Sequence, residues 1–62
     1  MNRYIVRCQQ NGEFMIVGTF AGANEQEALD ASAVDRGEPD FQTLLQKRGL
    51  TRDNHRVELV KE

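Results

Sequence analysis

Between Tyr4 and Phe20 the chain runs through two strand-like stretches, apolar on both faces, around Gln10-Asn11-Gly12. Tyr4, Val6 and Cys8 alternate with Arg3, Ile5 and Arg7, the two-residue period of a strand. From Glu13 to Phe20, the residues Phe14, Ile16 and Phe20 fall on one side, and Met15, Val17 and Thr19 on the other. A hairpin of this kind can lay one face on a core. Its second apolar face then needs a use, and that surplus constrains both fold and function.

The register follows from the turn. Asn11-Gly12 alone as a two-residue turn would set Gln9 opposite Phe14 and Arg7 opposite Ile16, mixing charge into the aromatic face. A three-residue loop, Gln10-Asn11-Gly12, sets Cys8 opposite Phe14 and Val6 opposite Ile16, with Gly12 in the left-handed position of a G1 bulge. A one-residue slip exchanges every side chain between faces, so the apolar pattern predicts the longer loop. Phe14 and Ile16 then point to the core, and Ile5, Met15 and Val17 point outward.

Asn24 is a good helix N-cap, and Glu27 three residues on completes a capping-box-like pair. Ala28, Leu29, Ala31, Ala33 and Val34 are the expected packing residues, and Gly37 the expected stop. A second helix begins near Pro39 or Asp40 with Phe41, Leu44 and Leu45 on one stripe, and it ends at Gly49. A polar turn, Thr51 to Asn54, leads to a third strand over Arg56 to Lys61. The expected fold is α+β in one domain, residues 1–62: a three-stranded, mainly antiparallel sheet with two helices on one face, ordered β-β-α-α-β. Its core would hold Tyr4, Val6, Cys8, Phe14, Ile16, Phe20, Leu29, Phe41, Leu44, Leu45, Leu50, Val57 and Leu59. The third strand could lie beside either strand of the hairpin.

A chain of 62 residues buries about 60% of its unfolded surface and needs tight packing or a partner to be stable. Cys8 is its only cysteine, so no internal disulfide forms, and a lone cysteine suits a reducing compartment. No spacing suggests a zinc or calcium site, no glycine-rich phosphate loop occurs, and no cofactor is expected. With no apolar leader and no run near the roughly 20 residues of a membrane span, the expected location is the cytoplasm.

Charge is uneven. Residues 24–40 hold six acids and one base, a local net of −5, and the remainder holds a net of +3. Such a molecule can dock by complementarity. His55 sits in a polar stretch with no orienting partner in sequence and reads as an exposed turn residue. Cys8 reads as a core residue rather than an activated thiol.

What remains is surface. Ile5, Met15, Val17 and Val60, rimmed by Arg3, Arg7 and Glu58, form the expected partner-binding patch, for another protein or a second copy. The helix-one acids Glu25, Glu27 and Asp30 are a second candidate, able to meet a basic partner. The alternative use of the outer face is nucleic-acid binding through Arg3 and Arg7, joined by Arg56. Sheets that bind RNA carry stacking aromatics, and here these read as core.

The hairpin leading into Ala21-Gly22-Ala23-Asn24-Glu25-Gln26-Glu27-Ala28-Leu29 resembles small proteins of phages and mobile elements, DpnD/PcfM-like ones among them. In these a short hairpin runs into a helix with the same start and a closing strand follows. The resemblance implies a non-enzymatic accessory protein, or a phage-encoded inhibitor of a host machine, and carries over no site residue.

Overall fold

In a computed structural model, which describes residues 1–61, Asn11 and Gly12 both take positive φ, 51° and 82°. They close strand β1 (Asn2–Gln10) onto β2 (Glu13–Gly22) with Gln10 paired to Glu13. Two left-handed central residues define the tight turn that matches strand twist, and Asn-Gly is the dipeptide best suited to it. The three-residue loop is therefore not used. Gln9 faces Phe14 and Arg7 faces Ile16, the pairing that the apolar pattern argues against.

A bulge resolves the conflict. The register shifts between Val6 and Arg7, so Val6 pairs with Gly18 and Tyr4 with Phe20, while Val17 has no ladder partner. The extra residue exchanges faces partway along β2. Phe14 and Ile16 leave the core, and Val17 and Phe20 pack against it.

Strand β3 (His55–Leu59) pairs antiparallel with the other edge of β1, from Tyr4 with Leu59 to Cys8 with His55. The order is β2-β1-β3, so β1 is central. Helices α1 (Glu25–Asp35) and α2 (Phe41–Arg48) cover one face, with a 3-10 turn at Arg52–Asn54 before β3. This is the expected α+β order.

Asn24 Oδ1 accepts the Glu27 N–H at 3.0 Å, and Glu27 Oε1 accepts the Ala23 N–H at 3.0 Å, which satisfies donors at the start of α1. At its other end, Gly37 (φ 88°) is left-handed, with Gly37 N–H bonded to Val34 O and Glu38 N–H to Ala33 O. That paired closure fits glycine, which adopts the conformation without steric penalty. Asp40 Oδ1 accepts the Thr43 N–H at 2.7 Å to cap α2, and left-handed Gly49 ends it.

Val6, Leu29, Ala33, Phe41 and Leu44 form the buried core, with Val17, Phe20, Leu45 and Val57 packed on it. Fully burying each large one contributes about 1.5–3 kcal/mol. The sequence pattern misplaces three core residues besides the strand pair. Val34 is 61% exposed and Leu59 43% exposed. Ser32 is buried instead, its hydroxyl satisfied by donating to Leu29 O at 2.6 Å. Small Ala28, Ser32 and Ala33 let α1 lie close to the sheet: a Cβ on Gly22 would stand 2.9 Å from Ala28 N.

Candidate interaction surface on the outer sheet face

The helices leave the other face of the sheet uncovered. Alternation along central β1 places Arg3, Ile5 and Arg7 there, and the ladder adds Glu58 and Arg56 from β3. Val60 continues the strand, its N–H bonded to Arg3 O at 2.9 Å, and shares this face. Arg3, Ile5, Arg7 and Val60 thus lie where the sequence places them.

Met15 and Val17 do not. Met15 pairs with Cys8, whose side chain points to the helices, and Val17 packs on the core. The cause is the tight turn plus the bulge. Met15 is still 50% exposed. Their places are taken by Phe14 and Ile16, which the alternation of β2 assigned to the core. The Asn-Gly pair is the signal that leads to them, since it fixes the register at the turn regardless of side-chain pattern.

Ile16 is 64% exposed on the edge strand β2, beside Arg7 of the central strand. Arg7 and Arg56 stand directly opposite each other in the ladder, a repulsive pairing. Each guanidinium has its own partner. Arg7 Nη1 lies 3.0 Å from Glu58 Oε1, and Arg56 Cζ lies 4.0 Å from the Phe14 ring centroid. Such a cation–π contact is worth about 0.5–1 kcal/mol at an exposed site. The result is an apolar group, Ile5, Phe14 and Ile16, bordered by Arg7 and Arg56, whose guanidinium heads are held in place.

The acidic alternative is occupied by structural work. Glu25 faces Arg52 at 3.6 Å, and Glu27 closes the start of α1. Asp30 Oδ1 accepts the Phe41 N–H at 2.9 Å and the Gln26 amide at 3.2 Å, which ties α1 to the first turn of α2.

His55 is not the exposed turn residue that its neighbours suggest; it is 2% exposed. Arg36 Nη1 lies 3.2 Å from Nε2, and Thr51 O lies 3.3 Å from Nδ1. An arginine can only donate, so Nε2 accepts and Nδ1 carries the hydrogen. Burial lowers the pKa of the ring below its ordinary 6.5; Arg36 and Arg52 lower it further, against the Thr51 hydrogen bond, which raises it. Cys8 is the ladder partner of His55 and is buried. With both ring nitrogens engaged, the imidazole has no lone pair to offer the thiol, so the two do not form a nucleophile–base pair.

No group of three or more metal-ligating side chains occurs among the described residues, and no helix is long and apolar enough to cross a membrane. No family model, no curated protein and no solved structure matches the chain.

Proposed function

We propose that the chain is a small non-enzymatic protein–protein interaction module that binds through its outer sheet face. The observation that carries this reading is Ile16, 64% exposed beside Ile5 and Phe14 on a face that no other element covers among the described residues. Apolar centres bordered by arginine match the composition of interfaces. Arg56, held over a ring rather than a carboxylate, fits a partner that is apolar where it meets Ile16 and acidic where it meets this guanidinium. The resemblance of the hairpin-to-helix segment adds a setting: an accessory or inhibitor protein acting on a host component.

One observation favours a second reading. Phe14 lies outward under Arg56, so the face holds an aromatic ring and basic side chains, which are elements of a single-stranded nucleic-acid platform.

A photo-crosslinking residue at position 16, with Gln46 on α2 as control, tests both. A discrete protein adduct from position 16, absent from position 46 and lost in Arg7→Glu, is the expected result. Adducts joining two copies would make the face a self-interface, and nuclease-sensitive adducts would favour the second reading. Equal labelling from both positions would refute a dedicated face.

A further inference from the structure

His55 opens β3, yet its ring is the meeting point of four other segments. Arg36, at the C-terminus of α1, contributes a guanidinium hydrogen at 3.2 Å, and Thr51 receives the Nδ1 hydrogen at 3.3 Å. Phe41, the first residue of α2, packs at 4.8 Å with its ring plane at 86° to the imidazole. Cys8 of β1 stands opposite in the ladder. Arg52 of the 3-10 turn donates to the His55 carbonyl at 2.8 Å.

The charged groups facing the ring are both cations, Arg36 from α1 and Arg52 from the turn. β1 brings only the Cys8 thiol, and α2 only the Phe41 ring. Cys8, Arg48 and Asp35 act on Arg36 rather than on the imidazole. The pocket therefore suits a neutral acceptor. A proton on Nε2 would set N–H against N–H at 3.2 Å and a second positive charge beside Arg36. Arg36 has little room to retreat. Its Nε donates to Ser32 O at 3.2 Å and its Nη2 to Ser32 Oγ at 3.1 Å, and Ser32 is fully buried.

We infer that His55 is an acid-operated latch: neutral, it clasps α1, α2 and the preceding turn to the head of β3, and protonated, it lets that end of β3 go. Arg56, the next residue, carries the guanidinium over Phe14, so opening also dismantles one side of the outer face. The inference concerns the opening of the fold and holds whatever that face binds.

The test is nitrogen-detected NMR of the imidazole from pH 8 to 5, with amide exchange at Phe41, Arg56 and Val57 over the same range. At neutral pH the ring should show the Nδ1–H tautomer, and it should titrate below 6.5. The exchange-competent population should grow by up to tenfold per pH unit below 6.5 until the folded ring itself titrates. His55→Gln keeps an oxygen to receive the Arg36 hydrogen and cannot become charged, so its opening should not depend on pH between 6.5 and 5. A ring that titrates at 6.5 or above, or a glutamine variant that opens with the wild-type pH dependence, overturns the latch. Should His55→Gln not fold, the ring titration and exchange of the wild-type protein decide by themselves.

Discussion

Arg36 makes three bonds with one guanidinium: to the Ser32 carbonyl, the Ser32 hydroxyl and the His55 ring. Only a planar fork of donors reaches all three, so Arg36→Lys should destabilise the protein by about 1–3 kcal/mol in urea denaturation, although charge is kept. Asp30 is an equally local case. It receives the first N–H of α2 from another helix, and Asp30→Ala should cost about 1–2 kcal/mol by the same measurement. The pH dependence follows from His55. Its folded pKa is depressed, so the unfolded chain takes up the proton first. Stability is then full above 6.5 and declines as pH falls from there toward the folded pKa, which thermal melts at stepped pH will show. None of these roles is visible in the sequence. A histidine in a polar stretch looks exposed until a distant arginine and phenylalanine are known to close over it, and tertiary contacts of that kind leave no periodic trace.

At the scale of elements, Val17 and its neighbour Ile16 should behave as opposites. Val17→Asp places a charge against the core and should unfold the domain or cost several kcal/mol, whereas Ile16→Asp should change stability by less than about 0.5 kcal/mol in the same denaturation series. The reverse result would place the register elsewhere. Gly22→Ala should cost about 1–3 kcal/mol, since its Cβ would press on the backbone of α1 at 2.9 Å. Both helices, the asparagine cap of α1 and the two glycine stops are local features that the order of amino acids alone makes legible, whereas Pro39, expected in the first turn of α2, lies outside it and Asp40 is the cap. The hairpin is legible too, but only its first strand keeps its alternation throughout. In β2 the pattern of Phe14, Ile16 and Phe20 is regular in sequence and broken in space. Turn chemistry and apolar alternation disagree there by one residue, and the alternation yields. Of the six residues expected on the outer face, Arg3, Ile5, Arg7 and Val60 keep their places, because they lie on β1 and beyond β3.

Taken whole, the molecule has two unlike layers. The helical layer spends its acids on caps and staples, and the sheet layer shows arginines around an apolar centre. Association through that centre should tolerate added salt far better than a phosphate-based complex, whose affinity falls linearly with log salt concentration on a log scale. Sedimentation of wild type and Ile16→Asp at 50 and 500 mM salt, with and without a crosslink-identified partner, separates the two. The expected complex persists at high salt and is absent with the variant. A 62-residue domain with so small a core has little stability in reserve, so a bound partner would raise its melting temperature noticeably.

The unpaired Val17 can also be regarded as an insertion. Without it, Ile16 opposite Arg7 would be followed directly by Gly18 opposite Val6, and the hairpin would become an uninterrupted ladder with the same residues on the same sides. Related chains one residue shorter at this point would therefore display an equivalent surface, while a position-by-position comparison without a gap would put half of β2 out of phase. The place to open that gap is residue 17, and a 61-residue form lacking it should still expose Ile16.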